Sequence, residues 1–563
     1  MMSAKRYARW CLSLGGVLVL AAMHACTGAA DLVVLNAAVW TCDPHRPAAR
    51  ALAVRDGRFV AVGGVGEIRP FVGPHTTVID AGGRRVIPGL ADAHTHILSA
   101  GLLLSRLQLR DVPDRAAFVA AVGDYAASLP PDAWVLGGRW STESWADPTQ
   151  PTKEWIDPVT GDRPAYLSRM DGHQALVNSA ALKLAGIDRG GPADPLGGRI
   201  DRDSVSGEPT GILRDEAMEP VARLIPPPSP EQKDRALLAA MKEANRFGVT
   251  MVQDMSRWSD LEVFARAHRR GELTVRLCVY ASVDDWTSTI DDVLRFPIRD
   301  DWLRIAGFKG YMDGSLGSRT AYMREPYLDN PPDDPERRGL LLPLAAKEGE
   351  LLRQCRAADR AGLQPAVHAI GDMANHLLLD AYERVAHSNR PRDRRPRIEH
   401  AQHLLPQDVE RFARLGVIAS VQPFHKADDG RYAEQVLGRQ RCQSSYAFRA
   451  LLDCGAYLAF GSDWPVVTVN PFAGIATAVT GKTLAGKTWM PHQNITLEEA
   501  LAACTAGPAW AAMMEDRLGR IRPGYLADFV ILQDDPFALP PERLELVRVH
   551  QTVVGGDVVY AAQ

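Results

Sequence analysis

The sequence predicts an α/β protein in which a barrel of alternating strands and helices carries a small β-domain built from both chain ends. In the middle of the chain, short apolar runs alternate with helix-like segments such as 229–246 and 345–361, a pattern typical of a βα barrel. Both ends of the chain lack helical periodicity. The 563 residues exceed one average domain and suffice for a large barrel with a satellite.

The composition is that of a globular protein and excludes several classes of function. Hydrophobic residues make up 46% of the chain and charged residues 23%, which argues against a disordered or multi-spanning protein. The formal net charge of −4 excludes nucleic-acid binding through a global basic field, so we expect no nucleic-acid partner. The cysteines are scattered without a C-x-x-C pair, which indicates neither a disulfide framework nor a cysteine zinc cluster.

The first thirty residues are typical of a secretory signal peptide. Lys5, Arg6 and Arg9 form a positive segment, and residues 11–23 form an apolar run too short to span a bilayer comfortably. Small residues at 28–30 then provide a cleavage site. The sequence therefore predicts a signal peptide over residues 1–30 and an exported, periplasmic protein. A lipid anchor at Cys26, which would make the protein a periplasmic lipoprotein, is left open.

The two ends of the mature chain both read as strands. Residues 31–40 read as a strand pair, and residues 54–58 form a tight turn between two strands. Near the C-terminus, residues 527–533 and 547–560 read as further strands, the latter containing a Gly-Gly turn. We therefore assign residues 31–85 and 513–563 to the two halves of one small β-domain.

The first chemical signal is a pair of histidines at the end of an apolar run. Residues 86–98 read VIPGLADAHTHIL, with His94 and His96 two positions apart. In a strand, residues i and i+2 face the same side, so both imidazoles can point into one cavity. Imidazole suits zinc and similar metals. An isolated pair of this kind is a weak signal, because most such pairs arise by chance.

Four later segments place a ligand-type residue in or after an apolar run, in positions that suit the strand ends of a barrel. A single apolar-flanked histidine is more often a packed core residue, but several such positions in alternating strands and helices favour a shared metal site. The four residues are Lys309, His368, His400 and Asp463.

In this order the residues resemble the amidohydrolase superfamily of metal-dependent hydrolases. The segments GSLGSRTA (314–321), HAIGD (368–372), IEHAQ (398–402), SVQP (420–423), GSDWPV (461–466) and NPFAGI (470–475) are similar to the branch that includes N-substituted formamide deformylase. The similarity covers nearly all of the mature chain. It implies a distorted (β/α)₈ TIM-like barrel with a β-sandwich built from both chain ends.

The number of strand ends can be matched to such a barrel. If the segments 134–140 and 165–173 belong to an insertion, eight strand ends remain. These lie near His96, Asp254, Ala281, Lys309, His368, His400, Gln422 and Asp463. We therefore predict a barrel over residues 86–512, with an insertion at about 102–233 that walls the pocket.

The resemblance also implies a role for each ligand-type residue. His94, His96 and Asp463 would hold a buried divalent metal, and His368 and His400 a more exposed one. Lys309 would bridge the two as an N-carboxylated lysine. One or two Zn²⁺ ions are expected, and they would activate a water molecule whose proton Asp463 takes and delivers to the leaving nitrogen. An ion pair of Lys309 with Asp313 or Glu399 is the alternative for that lysine.

Further residues are predicted to contact the substrate. His173 follows a short apolar run and is assigned a catalytic or substrate-binding role, with Asp171 expected to orient its ring. Arg319 lies on a glycine-rich loop, and Gln422 and His425 follow the seventh barrel strand. For each of these residues, a structural hydrogen bond is the alternative.

The sequence thus predicts a metal-dependent hydrolase that cleaves a non-peptide carbon–nitrogen bond in a small amide or formamide. Deamination is less favoured, because no His-x-x-Glu follows the fifth strand. Cyclic amides, carbamates or esters are alternative substrates for the same site. An exported metal- or solute-binding protein without turnover is the alternative from another class. A homodimer is left open, and the sequence does not name the substrate.

Overall fold

The computed structural model describes residues 28–130, 133–143 and 145–563. The predicted signal peptide, apart from its last three residues, lies outside the described residues, as does Cys26, the residue considered for a lipid anchor. No helix within these ranges has the length and apolar character needed to cross a bilayer.

The strands, numbered along the chain, form four sheets. The N-terminal strands are β1 Leu32–Leu35, β2 Ala38–Trp40, β3 Ala48–Ala49, β4 Ala51–Arg55, β5 Arg58–Gly63, β6 Thr77–Asp80 and β7 Arg85–Pro88. There follow β8 Leu90–Thr95, β9 Leu107–Gln108, β10 Val135–Trp140, β11 Ala165–Arg169, β12 Gln174–Val177, β13 Gly198–Arg202 and β14 Pro209–Asp215. The remaining strands are β15 Val249–Asp254, β16 Arg276–Ser282, β17 Leu303–Tyr311, β18 Gln364–Ala369, β19 Arg397–His400, β20 Ile418–Val421, β21 Tyr457–Phe460, β22 Phe529–Leu532, β23 Val549–Val554 and β24 Asp557–Ala561.

The helices lie mainly between the strands. In the first half they are α1 Val65–Ile68, α2 Ile97–Leu104, α3 Arg115–Ser128, α4 Lys153–Thr160, α5 Ser179–Leu184, α6 Glu219–Ala222, α7 Pro230–Arg246, α8 Leu261–Arg269 and α9 Trp286–Arg295. In the second half they are α10 Pro343–Ala346, α11 Glu350–Arg360, α12 Asp372–Ser388, α13 Val409–Leu415, α14 Pro423–Asp429, α15 Ala433–Leu437, α16 Phe448–Asp453, α17 Pro471–Thr480, α18 Leu497–Ala503 and α19 Ala506–Ala511.

The eight-stranded sheet confirms the predicted barrel. Its strands run in the order β21-β20-β19-β18-β17-β16-β15-β8, and the paired neighbours are parallel. Nearly all of their residues are buried, because helices cover the outside of a parallel sheet. The ends of the sheet meet where the backbone N–H of Asp463 donates to the carbonyl of His94 at 2.7 Å and that of His96 to Trp464 at 2.8 Å. Each of these eight strands ends within three residues of its predicted position.

Two further sheets form a sandwich from both chain ends. One has the order β5-β4-β1-β6 and the other β24-β23-β22-β7-β2-β3. Val34, Phe59, Phe529 and Val553 belong to one buried apolar cluster that draws side chains from both sheets. The chain ends join where β7 pairs antiparallel with β22, so this sheet extends to residue 88.

Two local predictions were wrong. Strands β1 and β2, expected to pair with each other, lie in different sheets, because the left-handed backbone of Asn36 (φ 53°) redirects the chain between them. The helix expected over 345–361 is divided into α10 and α11. Gly349 lies between them with φ 73°, a backbone conformation that an α-helix does not accommodate.

Helix α7, by contrast, begins as expected after Ser229, whose hydroxyl caps the N–H of Gln232.

Between β8 and β15 the chain leaves the barrel and builds a sheet of its own. Its strand order is β13-β14-β12-β11-β10-β9. The two segments assigned from the sequence to an insertion, 134–140 and 165–173, contribute β10 and β11 to this sheet. Residues from the end of β11 onward reach the pocket at the C-terminal end of the barrel strands.

Candidate metal centre

The end of β8 places two imidazoles beside one carboxylate. His94 and His96 lie two residues apart, and their ring centroids are 5.6 Å apart. The Nε2 atoms of His94 and His96 lie 3.5 Å and 3.3 Å from Oδ1 of Asp463. The three donor atoms therefore form a group compact enough to surround one metal ion.

Asp463 lies just beyond β21 and is shared by two ligand groups. Its φ of 58° and the hydrogen bond from its N–H to the carbonyl of His94 fix it against the end of β8. The second group combines Asp463 with His400, at the end of β19, and His425, on α14. Oδ1 of Asp463 and Nε2 of His425 are both buried without a hydrogen-bond partner among the described residues. Buried polar atoms usually have partners, so these orphaned atoms fit a bound cation.

His425 and His368 take places other than those expected for them. His425, which was predicted to touch substrate, lines the cavity described below, and its Nε2 also lies 4.0 Å from Oδ2 of Asp463, within the second ligand group. His368 lies next to His400 with 4.5 Å between ring centroids, but it belongs to neither group among the described residues. Nε2 of His368 lies 3.0 Å from the carbonyl oxygen of Gly314, so this ring nitrogen already has a hydrogen-bond partner.

Lys309 lies in β17 beside the first ligand group. Its side chain is buried, and Nζ lies 3.3 Å from Nε2 of His94. Among the described residues it forms no ion pair within 4.0 Å, so neither Asp313 nor Glu399 takes the role of its counter-ion at contact distance. Burial lowers the pKa of Lys309 to about 8, although Glu399 and Asp463 raise it. The neutral amine is the form that reacts with carbon dioxide, and a lowered pKa raises its share. Carboxylation of Lys309 stays a prediction.

A buried network orients the imidazoles. Nδ1 of His94 lies 2.6 Å from Oε2 of Glu399, and Nε of Arg397 donates to Oε1 of Glu399 at 2.7 Å. Oε1 of Gln422 accepts from Nδ1 of His400 at 2.7 Å, so Gln422 contacts a candidate ligand rather than lining the cavity. Hydrogen bonds of this kind fix the tautomer and leave the other ring nitrogen free for a metal.

Sequence reasoning did not assign this role to Arg397 and Glu399. The signal was present, since Arg397 and Glu399 lie two positions apart in the segment that leads to His400. A buried strand places them on one face, where a charged residue must be paired.

The electrostatics of the centre favour neutral imidazoles and an ionised carboxylate. Burial, followed by the charge of Lys309, lowers the pKa of His94 to about 4. Burial also places the pKa of His400 well below its usual value. Burial would raise the pKa of Asp463, but the neighbouring histidines hold it well below its ordinary range. Neutral imidazole and ionised carboxylate are the forms that bind Zn²⁺-like ions, so this donor set fits a divalent metal.

His173 enters the pocket from the insertion, held by a different carboxylate from the one expected. Its Nδ1 lies 2.6 Å from Oδ1 of Asp215, and the side chain of Asp171 instead accepts the backbone N–H of His173 at 3.1 Å. Burial lowers the pKa of His173, but Asp215, together with Asp171 and Asp313, raises it to about 9. The ring lies 5.4 Å from that of His368. His173 is therefore cationic at neutral pH, with its Nε2–H directed away from Asp215.

These groups surround a cavity of about 340 Å³. The lining includes the candidate ligands and their neighbours His96, Lys309, His368, His400, His425 and Asp463. It also includes Met170, His173, Asp428, Asp429 and Tyr432. Arg319, predicted to bind substrate, does not line this cavity. Its guanidinium pairs with Asp329 at 2.8 Å and lines a neighbouring cavity of about 910 Å³.

Comparisons with known proteins agree with this architecture. The chain matches the model of the amidohydrolase family over residues 77–560. It is 39% identical to Protein LONG AFTER FAR-RED 3 of Arabidopsis thaliana, over 94% of this chain and 92% of that protein. It is 29% identical to the N-substituted formamide deformylase of Arthrobacter pascens, over 94% of this chain and 98% of that protein. The crystal structure of an uncharacterized metal-dependent hydrolase from Pyrococcus furiosus superposes with a TM-score of 0.70 at 27% identity, covering 90% of this chain and 99% of that chain.

Proposed function

The chain belongs to the amidohydrolase family, and from that premise we propose that it hydrolyses a non-peptide carbon–nitrogen bond in a small amide or formamide. One observation carries the proposal. Two pairs of histidines, His94 with His96 and His400 with His425, share the carboxylate of Asp463, which lines the cavity. The similarity to an N-substituted formamide deformylase favours an amide over other carbonyl substrates.

The metal that this reaction needs fits the residues present. We propose that His94, His96 and Asp463 hold one Zn²⁺ ion and that His400 and His425, with Asp463, hold a second. Ions bound there supply Lewis acidity, which polarises the amide carbonyl and promotes ionisation of water. We further propose that Lys309, once N-carboxylated, bridges the two positions.

The chain's own residues then handle the protons. Asp463 is ionised, so its carboxylate can accept a proton from water and pass it to the departing nitrogen. His173 faces the cavity as a cation whose Nδ1 is held by Asp215. Its free Nε2–H can donate to the carbonyl oxygen as negative charge develops there.

The N-terminal segment indicates where in the cell the protein is located. We propose that the chain is exported to the periplasm after cleavage within residues 25–30. Mass spectrometry of the exported protein tests this, and an intact Met1 would reject it.

A substrate panel tests the proposed reaction. Purified protein is assayed for amine release from N-formyl amines and for opening of hydantoins, with carboxylic esters as a comparison. We expect turnover of the formamides that is lost after treatment with a chelator and restored by adding Zn²⁺. Elemental analysis is expected to give between one and two equivalents of metal per chain. Full activity in protein shown to be free of metal, or turnover of esters alone, would contradict the proposal.

A further inference from the structure

We infer that the side chain of Arg169 limits the length of the substrate, because it separates the cavity at the candidate metal centre from a larger outer cavity. The inference rests on the proposed function and narrows the substrate to amides with a short substituent on the nitrogen. The inner cavity, at the metal centre, has a volume of about 340 Å³, near the lower end of the range of about 300–1,000 Å³ for small-molecule sites. The outer cavity has a volume of about 910 Å³.

Two segments of the chain form the partition between the cavities. In the loop after β17, residues 315–317 line the inner cavity and residues 317–320 line the outer one. Around the end of β11, residues 169–173 line the inner cavity, and Arg169 also lines the outer one. Within the described part of the chain, Arg169 and Gly317 are therefore the two residues that face both cavities.

Hydrogen bonds hold the two segments of the partition together. Oδ2 of Asp171 accepts from the hydroxyl of Ser315 at 2.8 Å and from that of Ser318 at 3.1 Å. From the outer side, Nη1 of Arg319 donates to the carbonyl oxygen of Gly317 at 3.1 Å. The loop is thus fixed from both sides, and Arg319 supports the partition instead of contacting the inner cavity.

The guanidinium of Arg169 lies across the partition, next to Gly317. Nη1 pairs with Asp171, which lines the inner cavity, and Nη2 pairs with Glu143, which lines the outer one. A Cβ added at residue 317 would lie 2.6 Å from Nη1, so a side chain there would displace the guanidinium. Arg169 is only 5% exposed, and separating a buried charge from its partners is costly. The guanidinium therefore has a fixed position between the two carboxylates.

This fixed cation lies close to the groups of the proposed reaction. Asp171, the partner of Arg169, also accepts the backbone N–H of His173 at 3.1 Å. A substituent that extends from the reacting bond toward the partition meets the guanidinium and stops there. The outer cavity beyond it is lined by charged side chains such as those of Arg214 and Asp329. A polar chain is therefore the kind of substituent that would enter the outer cavity once Arg169 is removed.

Two formamides of different length test the inference. The formamides of methoxyethylamine and of methoxy-tetra(ethylene glycol)-amine have the same reacting group and the same kind of polar chain. We expect the wild-type kcat/KM to be about 10- to 100-fold lower for the longer formamide, the size of effect by which a pocket rejects a group that it does not hold. The double variant Arg169→Ala/Glu143→Gln removes the guanidinium and the charge of one of its partners. Its two kcat/KM values should agree within about 3-fold, because the cavities are then joined.

The single variant Glu143→Gln is the matched control. It keeps Arg169 and the pairing of this residue with Asp171, so it should keep the wild-type ratio of the two kcat/KM values. Both values come from one preparation, so a loss of folded protein changes them equally and leaves the ratio unchanged. Equal wild-type kcat/KM for the two formamides would overturn the inference. A double variant that still rejects the longer formamide, or a Glu143→Gln variant that accepts it, would overturn it as well.

Binding measurements keep the test independent of turnover. If the wild-type protein hydrolyses neither formamide, the proposed reaction fails for these compounds, and calorimetric titration of the same two compounds still tests the partition. Tighter binding of the shorter formamide by the wild-type protein, with a difference that disappears in the double variant, supports the inference. Equal binding of the two by the wild-type protein, no binding of either, or a difference that persists in the double variant overturns it.

Discussion

At the scale of single residues, Asp463 combines two tasks that usually conflict. It lies buried, which opposes ionisation, yet the surrounding histidines hold its pKa well below the ordinary value. Its Oδ1 faces both His94 and His96 without a hydrogen bond. The same carboxylate can therefore bind a cation and accept a proton, and a single substitution can separate the two tasks.

We expect Asp463→Asn to lower kcat by about 10²- to 10⁴-fold, because it removes the proton acceptor while keeping the shape and one oxygen ligand. Steady-state kinetics should show a much smaller change in KM, and circular dichroism an unchanged fold. Metal content is measured on the same preparation. A variant that retains its metal and turns over within a few-fold of wild type would contradict the role of Asp463 as general base.

The sequence indicated which residues lie close together mainly where a histidine, lysine or aspartate lies in or just after an apolar run. His94, His96, Lys309, His400 and Asp463 converge at one end of the barrel because parallel strands bring their C-terminal ends together. Arg319 was misplaced because its loop turns toward Asp329, a contact that only the folded chain creates. The ring partner of His173 was likewise missed, since Asp215 lies 42 positions away along the chain.

At the scale of elements, β19 shows how one strand serves both stability and the site. Arg397, Glu399 and the backbone of β19 are fully buried. Arg397 donates to Glu399, to the carbonyl of Ala93 and to Ser420, so it links β19 to β8 and β20. Glu399 then holds His94 in one orientation. The strand thus carries a cation–carboxylate–imidazole chain across the inside of the barrel.

Glu399→Gln should break this chain in two measurable ways. Loss of the carboxylate leaves Arg397 buried without its counter-charge, which is expected to lower the free energy of unfolding by about 3–5 kcal/mol. Loss of the fixed His94 tautomer should weaken metal affinity by about 10- to 100-fold. Denaturant titration and competition with a chromogenic chelator measure the two effects. A matched variant, Glu515→Gln, removes a partner of the more exposed Arg395 and should change metal affinity little.

Comparing the two variants tests whether Glu399 affects metal affinity by orienting His94. Wild-type metal affinity in a folded Glu399→Gln protein would mean that His94 is held by its strand alone. Equal loss of affinity in Glu515→Gln would mean that the effect follows global destabilisation rather than the orientation of His94.

The elements themselves were predictable to different degrees. Most of the barrel strands could be predicted because they are short, largely apolar segments that are buried on both faces. The division of β1 and β2 between two sheets could not, because apolar alternation defines a strand without naming its partner. The break between α10 and α11 depends on one left-handed glycine inside an otherwise helical segment.

At the scale of the whole molecule, the barrel and the insertion both contribute to the lining of one cavity. The barrel provides the histidines, Lys309 and Asp463, whereas the insertion provides His173 and the segment around Met170. The candidate ligand groups also span the barrel's seam, since Asp463 follows β21 and His94 and His96 belong to the end of β8. Two backbone hydrogen bonds join these ends, at Asp463 and at His96.

Metal bound at this seam should therefore stabilise the whole barrel. A ligand that binds only the folded state adds a free energy set by its concentration relative to its Kd, about 4 kcal/mol at a thousandfold excess. We expect removal of metal by dialysis against a chelator to lower Tm, and Zn²⁺ to restore it. Differential scanning calorimetry measures the shift in wild type and in His96→Gln, which lacks one seam ligand and should respond less to the chelator. An unchanged Tm after metal removal verified by elemental analysis would mean that the hydrogen bonds at Asp463 and His96 close the barrel without help from an ion.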